Sequence, residues 1–187
     1  MLPQGASSFA GVGKATGATP YDLQGDAFGN RGWGEKLCHA MGMGFMNISR
    51  PSDTLEALAD PAKTAHREAL ARLSNCNFII SQTAPNDLGS NTLVQMKADY
   101  SAIVDRMQAK LPTAKVVPPT ITPRTSSTNL WTAPDGSDQT NTAGSGIGST
   151  GAQWNDDICA GVAPFNRNSG KYLDAGYALE IPGQSEA

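Results

Sequence analysis

The stretch Asn75-Cys76-Asn77-Phe78-Ile79-Ile80-Ser81-Gln82-Thr83-Ala84-Pro85-Asn86-Asp87-Leu88-Gly89 decides how this chain folds. Its apolar run reads as a buried strand over Asn77 to Gln82, and the sequence on either side carries helical periodicity. Strands that alternate with helices form parallel sheets, and ligands in such sheets sit beyond the carboxyl ends of the strands. Asn86 and Asp87 fall at that position. Asn-Asp pairs are also ordinary turn formers, because their short polar side chains bond the nearby backbone. Read alone, Asn86 is therefore either a turn residue or a donor to a bound oxyanion.

Towards the N-terminus, Ser52 to Leu73 places Leu55, Leu58, Ala62, Ala65, Ala69 and Leu73 at intervals of three and four, an apolar helical stripe. Pro61 either breaks this helix or starts its second half at a first-turn position. Trp33 to Met41 predicts a short helix that Gly42 and Gly44 stop before a strand around Phe45 to Ile48. Residues 3–32, rich in Gly, Ala and Ser, show no period and read as a long loop. Towards the C-terminus, Leu93, Met96, Tyr100, Ile103, Met107 and Leu111 predict a helix over Thr92 to Leu111. Lys115 to Ile121 is the next strand, but Pro118 and Pro119 each remove a ladder donor, so the strand ends early or lies at an edge. Thr122 to Thr150 is a polar Gly/Ser/Thr-rich loop of a length usually tied to function. Ala152 to Val162 reads as a last helix, with irregular chain to Ala187.

A chain of 187 residues suits one domain with a real core and is short for two. Its net charge of −3, without a Lys/Arg cluster, argues against a nucleic-acid partner. Cys38, Cys76 and Cys159 are odd in number and lack CxxC spacing, so they suggest neither a disulfide framework nor a metal site and read as small apolar fillers. No stretch has the length of a membrane span, and no basic-then-apolar signal pattern opens the sequence, so the reading is of a soluble chain. Asn47-Ile48-Ser49 is formally a glycosylation sequon, meaningful only in a eukaryotic secretory protein.

Three segments share an order and spacing with a known family. Gly5-Ala6-Ser7-Ser8-Phe9-Ala10-Gly11, Asn47-Ile48-Ser49 and Ala84-Pro85-Asn86-Asp87 resemble the first three sequence blocks of the SGNH (GDSL-like) hydrolases. In the first block Ser7 and Gly11 match, with Ala6 where the family has Asp. In the second, Ser49 occupies the small-residue position two after an Asn. In the third, Asn86 and Asp87 match, with Ala84 where the family has Gly. Gly32-Trp33-Gly34 and Thr120 to Thr128 also look like pieces of one branch, so the resemblance spans roughly residues 5 to 180.

The resemblance implies an α/β fold, a three-layer α/β/α sandwich of flavodoxin-like topology with a mostly parallel sheet. It implies a serine esterase that needs no cofactor and takes a small-molecule or carbohydrate-linked ester. Ser7 would be the nucleophile. The backbone N–H groups of Ser7 and Ser49 and the side-chain amide of Asn86 would hold the oxyanion, the charge that develops on the attacked carbonyl. Ser49 in place of Gly keeps the backbone donor. Ala84 in place of Gly is harder, since its methyl is disfavoured if the backbone there has positive φ. Asp87 reads as a loop-capping residue rather than a catalytic acid.

The family draws its base from a late Asp-x-x-His block. The best placement is Glu180-Ile181-Pro182-Gly183, with Glu180 for the Asp and Gly183 for the His. His39 and His66 fall within predicted helices and match no motif. The other gap is at the start, where only Met1-Leu2-Pro3-Gln4 precedes Gly5 although the family's nucleophile follows a central strand. The expectation is a single domain over residues 1–187 lacking its first strand and its late histidine, with impaired activity. The alternative is a carbohydrate- or partner-binding module that keeps the pocket without the base.

Other motifs fail more simply. Ser8 is a rival nucleophile that fits Gly11 less well, and Gly25-Asp26-Ala27 has no nucleophilic atom. Gly146 to Gly151 satisfies GxGxxG, but a polar loop precedes it and not the strand a dinucleotide site needs.

Overall fold

In the computed structural model, residues 2–5, 33–44, 46, 48, 52–71, 76–122, 125–127 and 139–175 are described. They form β1 (Leu2–Gly5), α1 (Trp33–Ala40), α2 (Leu55–Ala59), α3 (Pro61–Ala71), β2 (Phe78–Gln82), α4 (Leu93–Lys110), β3 (Lys115–Val117), β4 (Thr125–Ser127), β5 (Gln139–Asn141) and α5 (Thr150–Cys159). Short 3₁₀ turns at Ala84–Asn86 and Phe165–Asn168 complete the set.

The fold is α/β with a small parallel sheet in the order β1-β2-β3. β2 lies in the middle, and its successive residues Ile79, Ile80 and Ser81 are all buried, so both of its faces are covered. This is the burial expected of a parallel strand rather than of a half-solvated antiparallel one. The register pairs Gly5 with Gln82 and Phe78 with Lys115.

The expectation that a first strand is lacking needs correction. Leu2–Gly5 supplies a four-residue strand that pairs along its whole length with β2. Among the described strands β1 is an outer one, the position at which a strand tolerates a proline such as Pro3. The strand expected around Phe45 to Ile48 is also corrected, since neither described residue there, Met46 or Ile48, is in a strand. The Ile48 carbonyl instead accepts from the Arg67 guanidinium.

Helices start and stop where the local chemistry says. Gly42, at φ +66°, follows α1 in the left-handed conformation that glycine adopts without a Cβ clash. Pro61 opens α3, where its missing N–H costs nothing. Thr92 caps α4, its hydroxyl accepting from Gln95 N. The apolar stripe of α4 is buried at Met96, Tyr100, Ile103 and Met107. Tyr100 meets Trp154 of α5 and Phe165, with ring centroids 5.7 and 5.2 Å away. Trp154 and Phe165 lie 4.8 Å apart, so one aromatic trio joins α4, α5 and the late 3₁₀ turn. Offset or edge-on ring pairs of this kind add about 0.5–1.5 kcal/mol each beyond their buried area.

β3 stops at Val117, before Pro118, and among the described strands it lies at the other edge of the sheet. Beyond it, Pro118 O accepts from Leu173 N and Thr120 N donates to Leu173 O. The polar loop after Thr122 contains the antiparallel pair β4 and β5. Cys38 and Cys76 are buried as expected, whereas Cys159 is exposed and does not act as a core filler.

Candidate functional site

β1 and β2 run parallel with Gly5 opposite Gln82, so both chains leave the sheet at the same carboxyl edge. From that edge the backbone turns through Thr83 into the 3₁₀ turn Ala84–Asn86. Thr83 is buried, and its hydroxyl lies 3.1 Å from the Ser81 hydroxyl. Ala84 is buried, and it is not among the positive-φ residues. The concern raised by its methyl therefore disappears, because a right-handed 3₁₀ turn accommodates a Cβ.

The turn delivers Asn86 with a fixed side chain. Asn86 Nδ2 donates to the Asp53 carbonyl oxygen at 2.7 Å. An amide nitrogen has two N–H groups, and one of them is committed here. Asn86 is half-buried, so its polar end is not sealed in the core.

Asp87 does different work. Its Oδ2 accepts from Leu55 N at 2.8 Å, its carboxylate also accepts from Glu56 N, and Oδ1 accepts from Asn91 Nδ2 at 2.9 Å. Leu55 and Glu56 open α2, so Asp87 satisfies N–H groups that have no partner inside that helix. Thr54 caps the same end, its hydroxyl accepting from Ala57 N at 3.1 Å. Burial pushes the Asp87 carboxyl above its ordinary range, against the lowering by Leu55 N, Asn91 and Glu56 N. The capping role expected from sequence is what the side chain performs, although the helix it caps lies far away in the chain.

Asp53, which accepts the Asn86 amide, is also gripped by a guanidinium. Arg67 of α3 donates from Nη1 to Asp53 Oδ2 at 2.7 Å and to Ile48 O at 3.1 Å, and from Nη2 to Asp53 Oδ1 at 3.1 Å. Arg67 and Asp53 are both buried. Sequence reasoning missed this pair, because a separation of 14 positions puts the two residues outside any local pattern.

Among the sequence-predicted site residues, only Asn86 falls within the described residues. Ser7, Ser49 and Glu180 lie outside them. Ile48, Ser52 and Asp53 are described on either side of Ser49, and Ser52 has φ +63°. His39 is exposed near the end of α1, and His66 lies within α3. The Gly146 to Gly151 run serves packing. Gly151 N donates to Gly144 O at 2.9 Å, and a Cβ on Gly144 would meet Gly89 N at 2.8 Å. Among the described residues no His, Cys, Asp and Glu gather into a metal-binding group. None of the described helices is long and apolar enough to cross a membrane.

No family model matches the sequence, and no curated protein matches it. Two solved structures are similar in shape. One is the psychrotrophic esterase EstA from Pseudoalteromonas sp., in a structure inhibited by monoethylphosphonate, with a TM-score of 0.42 and 18% identity over 65% of this chain. The other is TesA, with a TM-score of 0.43 and 21% identity over 65% of this chain. The chain spans 58% of the first and 59% of the second, less than two thirds of either.

Proposed function

We propose that the chain is a serine ester hydrolase of the SGNH type, with Ser7 as nucleophile and the Ser7 N–H, the Ser49 N–H and the Asn86 amide as oxyanion donors. The observation that carries this reading is the placement of Asn86. Its amide is fixed on Asp53 O, and Asn86 stands four residues beyond Gln82, which pairs with Gly5 at the end of β1. Ser7 follows Gly5, the last residue of β1, by two positions in the sequence. Neighbouring strands lie about 4.8 Å apart, so one carbonyl could be reached from both strand ends. In this proposal the sheet is the centre of a three-layer sandwich.

Attack of the Ser7 hydroxyl on an ester carbonyl puts negative charge on the carbonyl oxygen, and each preorganised donor lowers that barrier by about 3 kcal/mol. The hydroxyl proton needs an acceptor. Glu180 stands where the family has Asp, and Gly183 where it has His, so the proton transfer lacks an imidazole. A general base usually contributes about 10²–10⁴-fold, which makes weak or no turnover the expectation. Small or carbohydrate-linked esters are the substrate class, and no cofactor takes part.

Turnover of p-nitrophenyl acetate tests this. We expect slow hydrolysis by the parent chain, lost in Ser7→Ala and raised by about 10²-fold in Gly183→His, which restores an imidazole at the late block. Hydrolysis unchanged by Ser7→Ala in both backgrounds would overturn the reading. The binding-module alternative then takes its place. It is favoured by one observation, that the Asp87 carboxylate nearest Asn86 in sequence is already committed to capping α2.

A further inference from the structure

One side chain, Arg67, bonds both Ile48 and Asp53. The Arg67 guanidinium holds the Ile48 carbonyl at 3.1 Å and grips the Asp53 carboxylate through two nitrogens, at 2.7 and 3.1 Å. A planar guanidinium matches a carboxylate with two parallel hydrogen bonds and so fixes orientation as well as distance. Both partners are more than nine-tenths buried, where such bonds are little weakened by water. Asp53 also receives the Asn86 amide on its carbonyl oxygen at 2.7 Å, while Leu55 N reaches Asp87 Oδ2 at 2.8 Å. Next to Asp53, Ser52 adopts φ +63°, a left-handed conformation that a serine keeps only when its surroundings enforce it.

We propose that Arg67 is a positioning residue of the site: through Asp53 it sets the Asn86 amide. The inference rests on the esterase reading for its catalytic consequence and on geometry alone for the clamp. One guanidinium on α3 thereby orients an amide carried on the turn after β2. Lysine cannot replace it, because an ammonium is a point charge that cannot grip both carboxylate oxygens and a carbonyl in one plane.

The test compares Arg67→Lys and Asp53→Asn with Glu68→Gln. Asp53→Asn keeps the backbone acceptor of the Asn86 amide but weakens the grip, and it reports even if Arg67→Lys does not fold. Glu68 neighbours Arg67 on α3 but bonds Thr64, Arg106 and Lys110, so its variant controls for lost stability without a lost clamp. The first readout is the pair of Asn86 side-chain amide signals in ¹H–¹⁵N spectra, assigned by their absence in Asn86→Asp. We expect Arg67→Lys and Asp53→Asn to shift the proton bonded to Asp53 O and to speed its exchange, and Glu68→Gln to leave both unchanged.

The second readout is Ser7-dependent turnover of p-nitrophenyl acetate. We expect kcat to fall on the order of 10- to 100-fold in Arg67→Lys with KM nearly constant, since small misplacement of oriented donors costs rate rather than binding. Amide signals that stay at their parent positions in both clamp variants, with Ser7-dependent turnover retained, would overturn the inference and leave the esterase reading standing. Turnover insensitive to Ser7→Ala, with amide signals that move as expected, would overturn the esterase reading and uphold the clamp.

Discussion

Replacing Asp87 should separate its capping role from its charge. In Asp87→Ala, Leu55 N and Glu56 N lose their acceptor, and Asn91 Nδ2 loses its bond to Oδ1. Loss of a helix cap costs about 0.5–2 kcal/mol. Leu55 is buried, so its orphaned N–H adds a desolvation cost of about 1–3 kcal/mol. Removing a buried carboxyl that is held above its ordinary pKa returns part of this, for a net loss of about 2–3 kcal/mol. With a urea slope of about 1–3 kcal/mol per molar, the unfolding midpoint should fall by roughly 1–2 M. Asp87→Asn keeps one oxygen and removes the charge, which makes it the probe of pH dependence. Because the folded pKa is raised above 3.8, the native state holds the proton more tightly than the unfolded chain. The stability Asp87 contributes is then fully present below that value and declines as pH rises through the folded pKa. The gap between parent and Asp87→Asn should therefore be widest in acid and narrow towards neutrality, as read by urea melts across that range. A gap that widens with rising pH would refute the reasoning, for it would mean that the three donors outweigh burial and hold the carboxyl below its ordinary range.

Glu68 should show the opposite sign. Burial works to raise its pKa, but hydrogen bonds from Arg106, Lys110 and Thr64 outweigh it and the net shift is downward. Its stabilisation is present above 4.5 and fades as acid protonates it, so Glu68→Gln should cost about 3–5 kcal/mol at neutral pH and less in acid, checked by the same melts. Gly151→Ala places a Cβ at 2.6 Å from Gly144 O. The clash of about 1–3 kcal/mol should exceed the helix gain of about 1 kcal/mol, and a thermal melt that rises instead would show that the 144–151 loop gives way.

The sequence by itself determined the elements whose signal is local. The three-and-four spacing from Leu93 to Leu111 became α4, and the Phe78-Ile79-Ile80 run became β2 with the Asn86 turn at its end. Pro61 and Gly42 marked helix boundaries because they restrict or release φ at their own positions. The order of the three blocks named Ser7, Ser49 and Asn86 as candidates, and of these the described structure bears on Asn86. Tertiary structure alone decided the rest. Leu2–Gly5 has no strand pattern of its own, and its strand exists through pairing with β2, whose open edge needs its backbone groups satisfied. Asp87 could be read as a cap, but that it caps α2, at a separation of 32 residues, depends on two turns meeting in space. The Arg67 clamp joins positions 14 and 19 residues apart, and Asn86 reaches Asp53 across 33. No periodicity encodes such contacts, because a buried charge or amide takes whichever partner the packed core brings within hydrogen-bond distance.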